Sequence, residues 1–305
     1  MRKDITAPAK GSAPAPAPLG REGSSARRFL KALFNLPGVE RMLGWCGIRE
    51  GLWRIYSRWF GPSGGIMQLQ LGAWRARFYV HSDWTAAYLR SFGSEQELLE
   101  RLVSIVKPAD VVYDIGANMG LHAVFLAQAV GAHGQIVAFE PELHYCERLR
   151  GNATLNGVRN IRICSVALGD HACELELLPS EPGKAAPRLT DHPPDAGRSR
   201  AGLKVQVVEG DHLVETENLP LPRLVKIDVE GFEYAVLRGL RRTLSNPLCQ
   251  IVCCEVHPRL LPEGVGQGEI LNFLKSCGYS RFEVLPRPPD QHILAFKNDD
   301  EAPQR

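Results

Sequence analysis

The sequence predicts an α/β protein built on a doubly wound, mostly parallel sheet. Strand-like and helix-like segments alternate between residues 110 and 256, the pattern of strand–helix–strand units with right-handed crossovers. The first strand of the series leads into a glycine-rich turn and a helical stretch, as in α/β proteins that bind nucleotide-like ligands. Near the C-terminus, residues 282–285 and 292–296 are two further strand-like runs, expected to pair antiparallel.

The individual elements follow from periodicity and from residues that start or stop each segment. Residues 66–80 alternate apolar and polar side chains, which predicts a small hairpin. Residues 93–106 are predicted to form a helix with acids in its first turns. Strands are predicted at 110–114, 135–139, 160–165, 173–178, 203–208, 223–228 and 250–256. Helices are predicted at 120–131, 142–156 and 232–244.

The composition is that of an ordinary globular protein. Of the 305 residues, 44% are hydrophobic, and the net charge of +2 gives no reason to expect a nucleic-acid partner. No apolar run approaches the roughly 20 residues of a membrane span, and no apolar segment follows the basic first residues as in a secretory signal. The eight cysteines form no C-x-x-C pattern, which fits a reducing, cytoplasmic location.

The N-terminal part differs in composition from the rest of the chain. Residues 1–25 are rich in Ala, Pro, Gly and Ser and are predicted to be a disordered tail. Arginines alternate with aromatic residues and leucines over 26–60, which predicts short basic amphipathic helices. These helices could contact a membrane surface or cover the substrate, but a helical subdomain packed on the core is preferred. The predicted divisions are 1–25, 26–90 with the hairpin, a main α/β domain at 91–297, and a tail at 298–305.

A glycine turn after the first core strand is the most informative feature. Asp114 ends the strand, and the turn runs from Gly116 to Gly120 before the helical stretch begins. Glycine at both positions lets the backbone approach a ligand closely and adopt conformations that a side chain would block. The spacing differs from the G-x-G-x-x-G of dinucleotide sites, so a pyrophosphate is not expected. A cofactor with one ribose and an amino-acid tail fits better, and S-adenosylmethionine is the leading candidate.

Glu140 follows the next apolar strand, at a distance from Asp114 that suits one strand–helix–strand unit of about 30 residues. A carboxylate at this strand end can accept hydrogen bonds from both hydroxyl groups of a ribose. The alternative is a solvated acid at a strand end. The ribose role is favoured because the glycine turn lies at the appropriate distance upstream.

Three segments carry a combined match to one known family. The matching residues are Asp114, Gly116, Ala117, Asn118 and Gly120; Phe139, Glu140 and Pro141; and Lys226, Asp228, Glu230, Gly231 and Glu233. In this order they resemble the FkbM-type S-adenosylmethionine-dependent methyltransferases, which share a D-x-G-A-N-x-G turn, an F-E-P segment and a K-x-D-x-E-G-x-E segment near the active centre. The resemblance covers residues 90–297 and is specific because all three segments match in order.

The resemblance implies a fold, a cofactor and a reaction. The implied fold is the class I methyltransferase, or Rossmann-like, architecture with a seven-stranded sheet that ends in an antiparallel strand pair. S-adenosylmethionine is implied as the cofactor, held by Asp114, Gly116, Ala117, Asn118, Gly120, Glu140, Pro141, Val166, Ala167 and Asp228. Val166 and Ala167 match the loop that faces the adenine ring, although Gly169 and Asp170 are also typical of an ordinary turn. The implied reaction is O-methylation of a small molecule, a sugar or a lipid-linked natural product, so the expected partner is a small-molecule or glycan acceptor.

Four ionisable residues at strand ends are the candidates for catalysis. Asp228 is the first choice for the group beside the reacting methyl, and Lys226 lies two residues earlier on the same face of the strand. Lys226 can lower the pKa of this carboxyl or orient the acceptor. His257 is the best-placed base by its ordinary pKa of about 6.5, and Glu230 is the fourth candidate. The alternatives are a structural Lys226–Asp228 ion pair and an acid that complements a helix dipole at Glu230.

Other functions and a metal stay open at this point. Asp228, Glu230, Glu255 and His257 offer oxygen and nitrogen ligands, but their spacing does not require a metal, and none is predicted. A NAD-dependent oxidoreductase is disfavoured by the glycine spacing and by the lack of a Y-x-x-x-K pair. A non-catalytic module that binds S-adenosylmethionine is disfavoured by the intact glycine turn and by Glu140. Residues 228–231 do not read Asn/Asp-Pro-Pro-aromatic, which disfavours methylation of the exocyclic amines of bases.

Overall fold

A computed structural model describes residues 65–178, 188–190 and 202–297, with only the backbone described at 83–84 and 188–190. The described residues belong to one unit, Ser63–Arg305. The predicted tails at 1–25 and 298–305 and the predicted basic helices at 26–60 lie outside the described residues. Within the described part of the chain, no helix has both the length and the apolar character needed to cross a membrane.

Thirteen strands and eight α-helices are found in the described ranges. The strands are β1 (Ile66–Leu71), β2 (Trp74–Tyr79), β3 (Val111–Ile115), β4 (Gln135–Phe139), β5 (Ile161–Cys164), β6 (Ala167–Gly169), β7 (Cys173–Leu178), β8 (Arg188–Thr190), β9 (Leu203–Glu209), β10 (Leu224–Ile227), β11 (Ile251–Val256), β12 (Arg281–Arg287) and β13 (Asp290–Phe296). The helices are α1 (Asp83–Arg90), α2 (Gln96–Ile105), α3 (Leu121–Val130), α4 (Leu143–Leu155), α5 (Gly210–Thr216), α6 (Glu233–Gly239), α7 (Arg241–Ser245) and α8 (Gln267–Ser276). A 3₁₀ turn, Phe92–Ser94, joins α1 to α2.

The main sheet has seven strands in the order β12-β13-β11-β10-β3-β4-β5. The pairs among β11, β10, β3, β4 and β5 are parallel, whereas β13 runs antiparallel to both β11 and β12. The predicted α/β class, with a doubly wound, mostly parallel seven-stranded sheet and an antiparallel C-terminal strand pair, is confirmed. The proline-containing connection is shorter than expected, because β12 and β13 extend until only two residues separate them.

The central strands are buried on both faces because helices cover both sides of the sheet. Every residue of β10 and β11 is buried, as expected for the middle of a parallel sheet. One face packs against α6, α7 and α8 in a core that includes Leu237, Leu244 and Phe273. The other face packs against α2 and α3 in a core that includes Leu102 and Leu126. These two cores hold the carboxyl ends of β3, β4 and β10 in place.

The N-terminal hairpin is joined to the rest of the unit by a third core. Strands β1 and β2 pair antiparallel, which confirms the hairpin predicted at 66–80. Phe78 of the hairpin packs with Leu89, Phe92 and Phe125, so the core links the hairpin, α1, the 3₁₀ turn and α3. This packing holds the 3₁₀ turn beside the carboxyl edge of the main sheet.

A second sheet has four strands in the order β6-β9-β7-β8. Two of them, β7 and β9, confirm the strands predicted at 173–178 and 203–208. The strand predicted at 160–165 is confirmed as β5, whereas β6 lies in the segment that was interpreted as a loop or turn, and the two strands belong to different sheets. The chain therefore passes from one sheet to the other at Ser165 and Val166, directly beside the predicted adenine loop.

Two predicted helices differ from the structure, and three helices were not predicted. The segment 93–106 begins as a 3₁₀ turn, because Phe92, Gly93 and Ser94 have positive φ angles of 52°, 65° and 65° and cannot continue a helix. The segment 232–244 is interrupted at Leu240, whose φ of −105° separates α6 from α7. The sequence-based assignment missed α1, α5 and α8.

Candidate active site

A cavity of about 930 Å³, counted out to its open mouth, lies at the carboxyl ends of β3, β4 and β10. This is the edge where open α/β sheets bind ligands. The lining residues are Tyr88, Gly93, Glu95, Ile115, Gly116, Ala117, Asn118, Leu121, His122, Phe139, Glu140, Pro141, Val166, Ala167, Leu168, Leu177, Lys226, Asp228, Val229, Glu230, Glu255 and Arg287.

The glycine turn forms one wall of the cavity. The N–H groups of Gly116 and Ala117 both donate to the carbonyl of Phe139, which ties the turn to β4. Gly116 has a φ of +81°, and a Cβ atom there would lie 1.8 Å from the carbonyl oxygen of Asp228. Only glycine permits this approach between the turn and the residue that follows β10. Gly120 also has a positive φ, but a Cβ there would meet Leu149 of α4.

Glu140 also lines the cavity, and it is 5% exposed. Its Oε2 accepts a hydrogen bond from the N–H of Asn118 at 2.8 Å, and its Oε1 accepts one from the N–H of Glu142 at 2.9 Å. Burial raises the pKa of Glu140 to about 7, although these two backbone donors favour the carboxylate. Each oxygen keeps a second lone pair with which it can accept a ligand hydroxyl.

A group of apolar residues forms another part of the cavity lining. Val166, Ala167 and Leu168 come from the start of the second sheet, and Leu177 comes from β7 of that sheet. Pro141 completes the lining on the side of β4. A flat, apolar ring such as a purine suits a wall of this kind.

Lys226, which lines the cavity, connects two acids. Its Nζ lies 3.2 Å from Oδ2 of Asp228 and 3.7 Å from Oδ1 of Asp114. Burial opposes the charge of Lys226, but Asp228 and Asp114 outweigh it and hold the pKa of the ammonium well above its ordinary value. Asp114 is fully buried, whereas the side chain of Asp228 is 23% exposed and lines the cavity. Lys226 is thus a permanent cation beside Asp228.

Glu230, which lines the cavity, lies beside His257, which is outside the lining. Nε2 of His257 lies 3.7 Å from Oε2 of Glu230 and 3.6 Å from Oε1 of Glu255. Nδ1 of His257 lies 2.6 Å from Oε1 of Glu233. Burial lowers the pKa of His257, but the hydrogen bond and charge of Glu233, with Asp228 and Glu255, raise it to about 10. At neutral pH this ring is an imidazolium and not a free base.

Burial dominates the acidity of Glu230. It raises the pKa of this carboxyl to about 7, although the charge of His257 lowers it. The side chain is 26% exposed and lines the cavity, so it can exchange a proton with bound molecules or water. A carboxyl with a pKa near neutrality is suited to accept and release a proton at physiological pH.

A network of buried charges surrounds Glu255 next to this site. Arg287 donates to Oε1 of Glu255 and also to the carbonyl of Gly93 at 2.9 Å. Nε2 of His292 lies 3.3 Å from Oε2 of Glu255 and 2.9 Å from Oε1 of Glu95. Burial opposes the charge of Glu255, but His292, Arg287 and nearby His257 outweigh it and lower its pKa. The network joins the 3₁₀ turn to β11 and to the β12–β13 connection.

The structure brings most of the sequence-predicted site residues to one cavity. Ten of them line it, namely Gly116, Ala117, Asn118, Glu140, Pro141, Val166, Ala167, Lys226, Asp228 and Glu230. Three predicted residues, Asp114, Gly120 and His257, are not among the described residues that line the cavity. Asp114 contacts Lys226, Gly120 allows α3 to approach α4, and His257 contacts the carboxylates behind the wall.

Several lining residues were not found by the sequence reasoning. Tyr88 comes from α1, Gly93 and Glu95 come from the segment between α1 and α2, and Arg287 comes from the end of β12. Glu95 is one of the acids expected in the first turns of the helix predicted at 93–106, but it is 5% exposed and contacts His292 in the charge network. The signal available in the sequence was the Phe92-Gly93-Ser94 run, which is a poor helix start.

Asp228, Glu255 and His257 each place one possible ligand atom within 4.8 Å of the others, as a metal centre would require. However, Lys226 lies beside Asp228, and Arg287 and His292 lie beside Glu255. The protein's own cations therefore already neutralise these carboxylates, and we assign no metal to them.

The fold and the cavity define a Rossmann-like α/β protein with an open site at the carboxyl edge of its sheet. The model of the methyltransferase FkbM domain family matches residues 114–281, which include the glycine turn, Glu140 and the segment 226–233. The chain belongs to this family and is a methyltransferase. The family resemblance inferred from the three sequence segments is thereby confirmed.

Two similar proteins are also named as methyltransferases. The chain is 27% identical over 227 residues to the hexuronic acid methyltransferase AglP of Haloferax volcanii, which covers 74% of this chain and 85% of that protein. It is 28% identical over 169 residues to Methyltransferase 1 of Beauveria bassiana, covering 48% of this chain and 68% of that protein. The solved precorrin-6y C5,15-methyltransferase of Geobacter metallireducens is 15% identical, with a TM-score of 0.41 over 67% of this chain and 89% of that chain. Such a low TM-score supports no functional comparison.

Proposed function

We propose that this methyltransferase transfers a methyl group from S-adenosylmethionine to a hydroxyl group of a sugar-like acceptor. The observation that carries the proposal is that two chemically different sets of residues line one cavity. The first set combines an open glycine turn, a buried carboxylate at Glu140 and an apolar wall. The second set is Asp228 and Glu230, next to a permanent ammonium at Lys226.

The first set of lining residues fits S-adenosylmethionine. Glu140 offers an oxygen to each ribose hydroxyl, and Val166 and Ala167 offer apolar contacts to the adenine. Gly116, Ala117 and Asn118 supply the turn beside which the amino-acid part would lie, and Pro141 borders the ribose position. When bound, the cofactor supplies a methyl group on a positively charged sulfur, and displacement by the acceptor oxygen yields S-adenosylhomocysteine.

The second set, Asp228 and Glu230 with Lys226, supplies what a hydroxyl acceptor requires. The acceptor must lose its proton as its oxygen attacks, so a base within reach of the hydroxyl is needed. We assign this role to Glu230, which lines the cavity and has a pKa of about 7 because of its burial. Asp228 then orients the acceptor, and Lys226 holds Asp228 in position. His257 acts as a charged neighbour of Glu230.

The acceptor class is suggested by the relative with the greater coverage. That relative is a hexuronic acid methyltransferase, so hexuronic acids and related sugars are the first acceptors to test. A free sugar or a glycan end would present single hydroxyl groups to Asp228 and Glu230 at the cavity mouth. Nucleic acid is not part of the proposed acceptor set.

Cofactor identity is tested first by calorimetry on the full chain. We expect saturable binding of S-adenosylmethionine and of S-adenosylhomocysteine, and no binding of NAD, because the glycine turn lacks dinucleotide spacing. Saturable binding of NAD alone would overturn the assignment.

Transfer is tested with methyl-labelled S-adenosylmethionine and four acceptors: glucuronic acid, galacturonic acid, methyl glucoside and a short RNA. Label should enter at least one sugar and not the RNA. The Asp228→Asn variant should keep cofactor affinity but lose about a hundredfold in turnover, because the acceptor is misplaced. Cofactor binding without label in any sugar would favour a binding module, and label in the RNA alone would contradict the acceptor class.

A further inference from the structure

We propose that Glu233 is a positioning residue that controls the acceptor-side base, because it holds both the turn that carries Glu230 and the ring of His257. This inference rests on the proposed transfer to a hydroxyl group and names the residues that regulate proton removal. Glu233 is fully buried, and it is not among the described residues that line the cavity. It therefore acts through its two contacts and not by touching the substrate.

The first contact secures a strained turn. Glu230 has a φ of +52°, a left-handed conformation that is costly for a residue with a side chain, and Gly231 follows with a φ of +101°. Oε1 of Glu233 accepts a hydrogen bond from the N–H of Gly231 at 2.8 Å. A Cβ atom at position 231 would lie 2.6 Å from Cβ of Leu260, so the turn packs tightly on the loop that follows β11. These contacts hold Glu230 in the cavity wall.

The second contact orients His257. The same Oε1 of Glu233 lies 2.6 Å from Nδ1 of the ring. With Nδ1 engaged, Nε2 is directed toward Glu230 at 3.7 Å and toward Glu255 at 3.6 Å. Glu233 lies in the first turn of α6, but it is also fully buried and bonded to an imidazole, so it does more than complement the helix dipole. Glu233 therefore sets the position of both partners of the Glu230–His257 pair.

The charges around this pair give Glu233 its influence. The ionisable groups that face His257 are Glu233 of α6, Glu230 of the preceding turn, Glu255 of β11 and Asp228 after β10. Those that face Glu230 are His257, Asp228, Glu255 and Glu233. Arg287 and His292 also contact Glu255. His257 is the cation that opposes the effect of burial on Glu230, and it stays protonated chiefly because Glu233 is its hydrogen-bonded partner.

The proton balance follows from this arrangement. The acceptor hydroxyl gives its proton to the ionised Glu230 as the acceptor oxygen forms its bond to carbon. Glu230 then passes the proton to water, because its side chain is 26% exposed. Without the charge on Glu233, His257 would lose its proton more easily, and neutral His257 would no longer favour the ionised form of Glu230. The charge of Glu233 also raises the pKa of Glu230 directly, but this effect is smaller than the lowering by His257, so the loss of the imidazolium decides the direction. Transfer would then require a higher pH.

Histidine NMR tests the first half of this chain without any acceptor. The protein is labelled with ¹³C at histidine Cε1, and the signal of His257 is assigned from its absence in His257→Asn. In the wild type this signal should show an imidazolium through neutral pH. In Glu233→Gln its titration should move toward an ordinary histidine pKa of about 6.5. An unchanged titration would overturn the inference.

The pH dependence of methyl transfer tests the second half, with the sugar that accepts label from S-adenosylmethionine. In the wild type the rate should rise with pH through about 7 as Glu230 ionises. In Glu233→Gln this rise should move upward by about one pH unit, so that the rate falls about fivefold at pH 7 and recovers at higher pH. Cofactor affinity should not change.

Glu269→Gln is the matched control. Glu269 also accepts a glycine N–H at the start of a helix, at 2.9 Å from Gly266, but it is exposed and lies outside the cavity lining. This variant should keep the wild-type pH profile. If Glu233→Gln fails to fold, His257→Asn should reproduce the upward displacement, and a profile equal to the wild type would overturn the inference. A uniform loss at every pH would also overturn it, whereas a wild-type enzyme without transfer would refute the proposed function instead.

Discussion

At the scale of single residues, two carboxyl groups in one cavity share a pKa of about 7 for different purposes. Burial raises both values, but Glu140 is held by two backbone N–H groups and Glu230 by the charge of His257. Glu140 is therefore suited to accept hydrogen bonds from a fixed ligand. The side chain of Glu230 is 26% exposed, so it is suited to exchange a proton. The environment of each carboxyl, more than its chemical type, separates binding from catalysis.

Cofactor affinity should depend on Glu140. Glu140→Ala should weaken binding of S-adenosylhomocysteine by about 1–3 kcal/mol, because two ribose hydroxyls lose a charged acceptor. Calorimetry measures this, with Glu263→Ala, an exposed loop acid, as the control that should bind normally. Equal affinity in Glu140→Ala and the wild type would remove Glu140 from the site.

The same residue should make binding pH-dependent. Ribose hydroxyls donate to the ionised carboxyl, so binding favours the carboxylate and lowers the pKa of Glu140 from about 7. Affinity should be constant above this pKa and should fall as the pH decreases through 7, by up to about tenfold for each pH unit. Titrations below pH 7 should release protons, and the dependence should be absent in Glu140→Ala.

At the scale of elements, the site depends on chain segments whose backbone leaves regular geometry. The 3₁₀ turn at Phe92–Ser94 has three consecutive positive φ angles, and it carries Glu95 into the charge network instead of onto a helix surface. The turn after β3 likewise uses left-handed backbone at Gly116 and Asn118. Strain of this kind is tolerated where packing on both sides holds the backbone. Here the third core and the Arg287–Gly93 hydrogen bond supply that packing.

Gly116→Ala tests the close approach between the glycine turn and β10. The left-handed backbone alone should cost about 1–2 kcal/mol, and the contact of 1.8 Å with the Asp228 carbonyl should increase that loss. Urea unfolding measures the change, and cofactor binding should be lost as well. Gly157→Ala is the matched control, since Gly157 has a φ of +68° with nothing within 4 Å of a Cβ atom. Equal losses in both variants would contradict a steric role for Gly116.

At the scale of the whole molecule, the cavity joins parts of the unit that are far apart in the chain. Its lining extends from Tyr88, before the main sheet begins, to Arg287 in the C-terminal hairpin. A ligand in this cavity would contact the 3₁₀ turn, the main sheet and the second sheet together. Binding should therefore stabilise the described unit as a whole and not one segment of it.

Thermal unfolding measures this coupling. S-adenosylhomocysteine at a hundred times its dissociation constant should stabilise the folded state by about 2.7 kcal/mol. For a domain of this size, that corresponds to a rise in Tm of roughly 5–10 °C. Glu140→Ala at the same ligand concentration should show a smaller rise. An unchanged Tm of the wild type at saturating ligand would contradict binding to the native cavity.

Patterns local to the chain were sufficient for much of the fold and for the cofactor end of the site. The alternation of strands and helices predicted the sheet, and the glycine turn with Glu140 predicted two neighbouring walls, because adjacent parallel strands end at the same edge. The same reasoning misplaced Glu95, since the acid pattern of 93–106 resembles a helix start. It also missed β6, because this strand has only three residues and is followed by Asp170, so Gly169 and Asp170 resemble an ordinary turn.

By itself, the sequence determined the class of the protein, because motif spacing and hydrophobic periodicity are properties of neighbouring residues. The tertiary structure decided which charges surround the reacting groups. Arg287 reaches Glu255 only because the C-terminal hairpin pairs beside β11, and Glu233 reaches His257 only because α6 packs next to that strand. Burial and the distances between these groups set their pKa values, and neither quantity is written in the local order of residues.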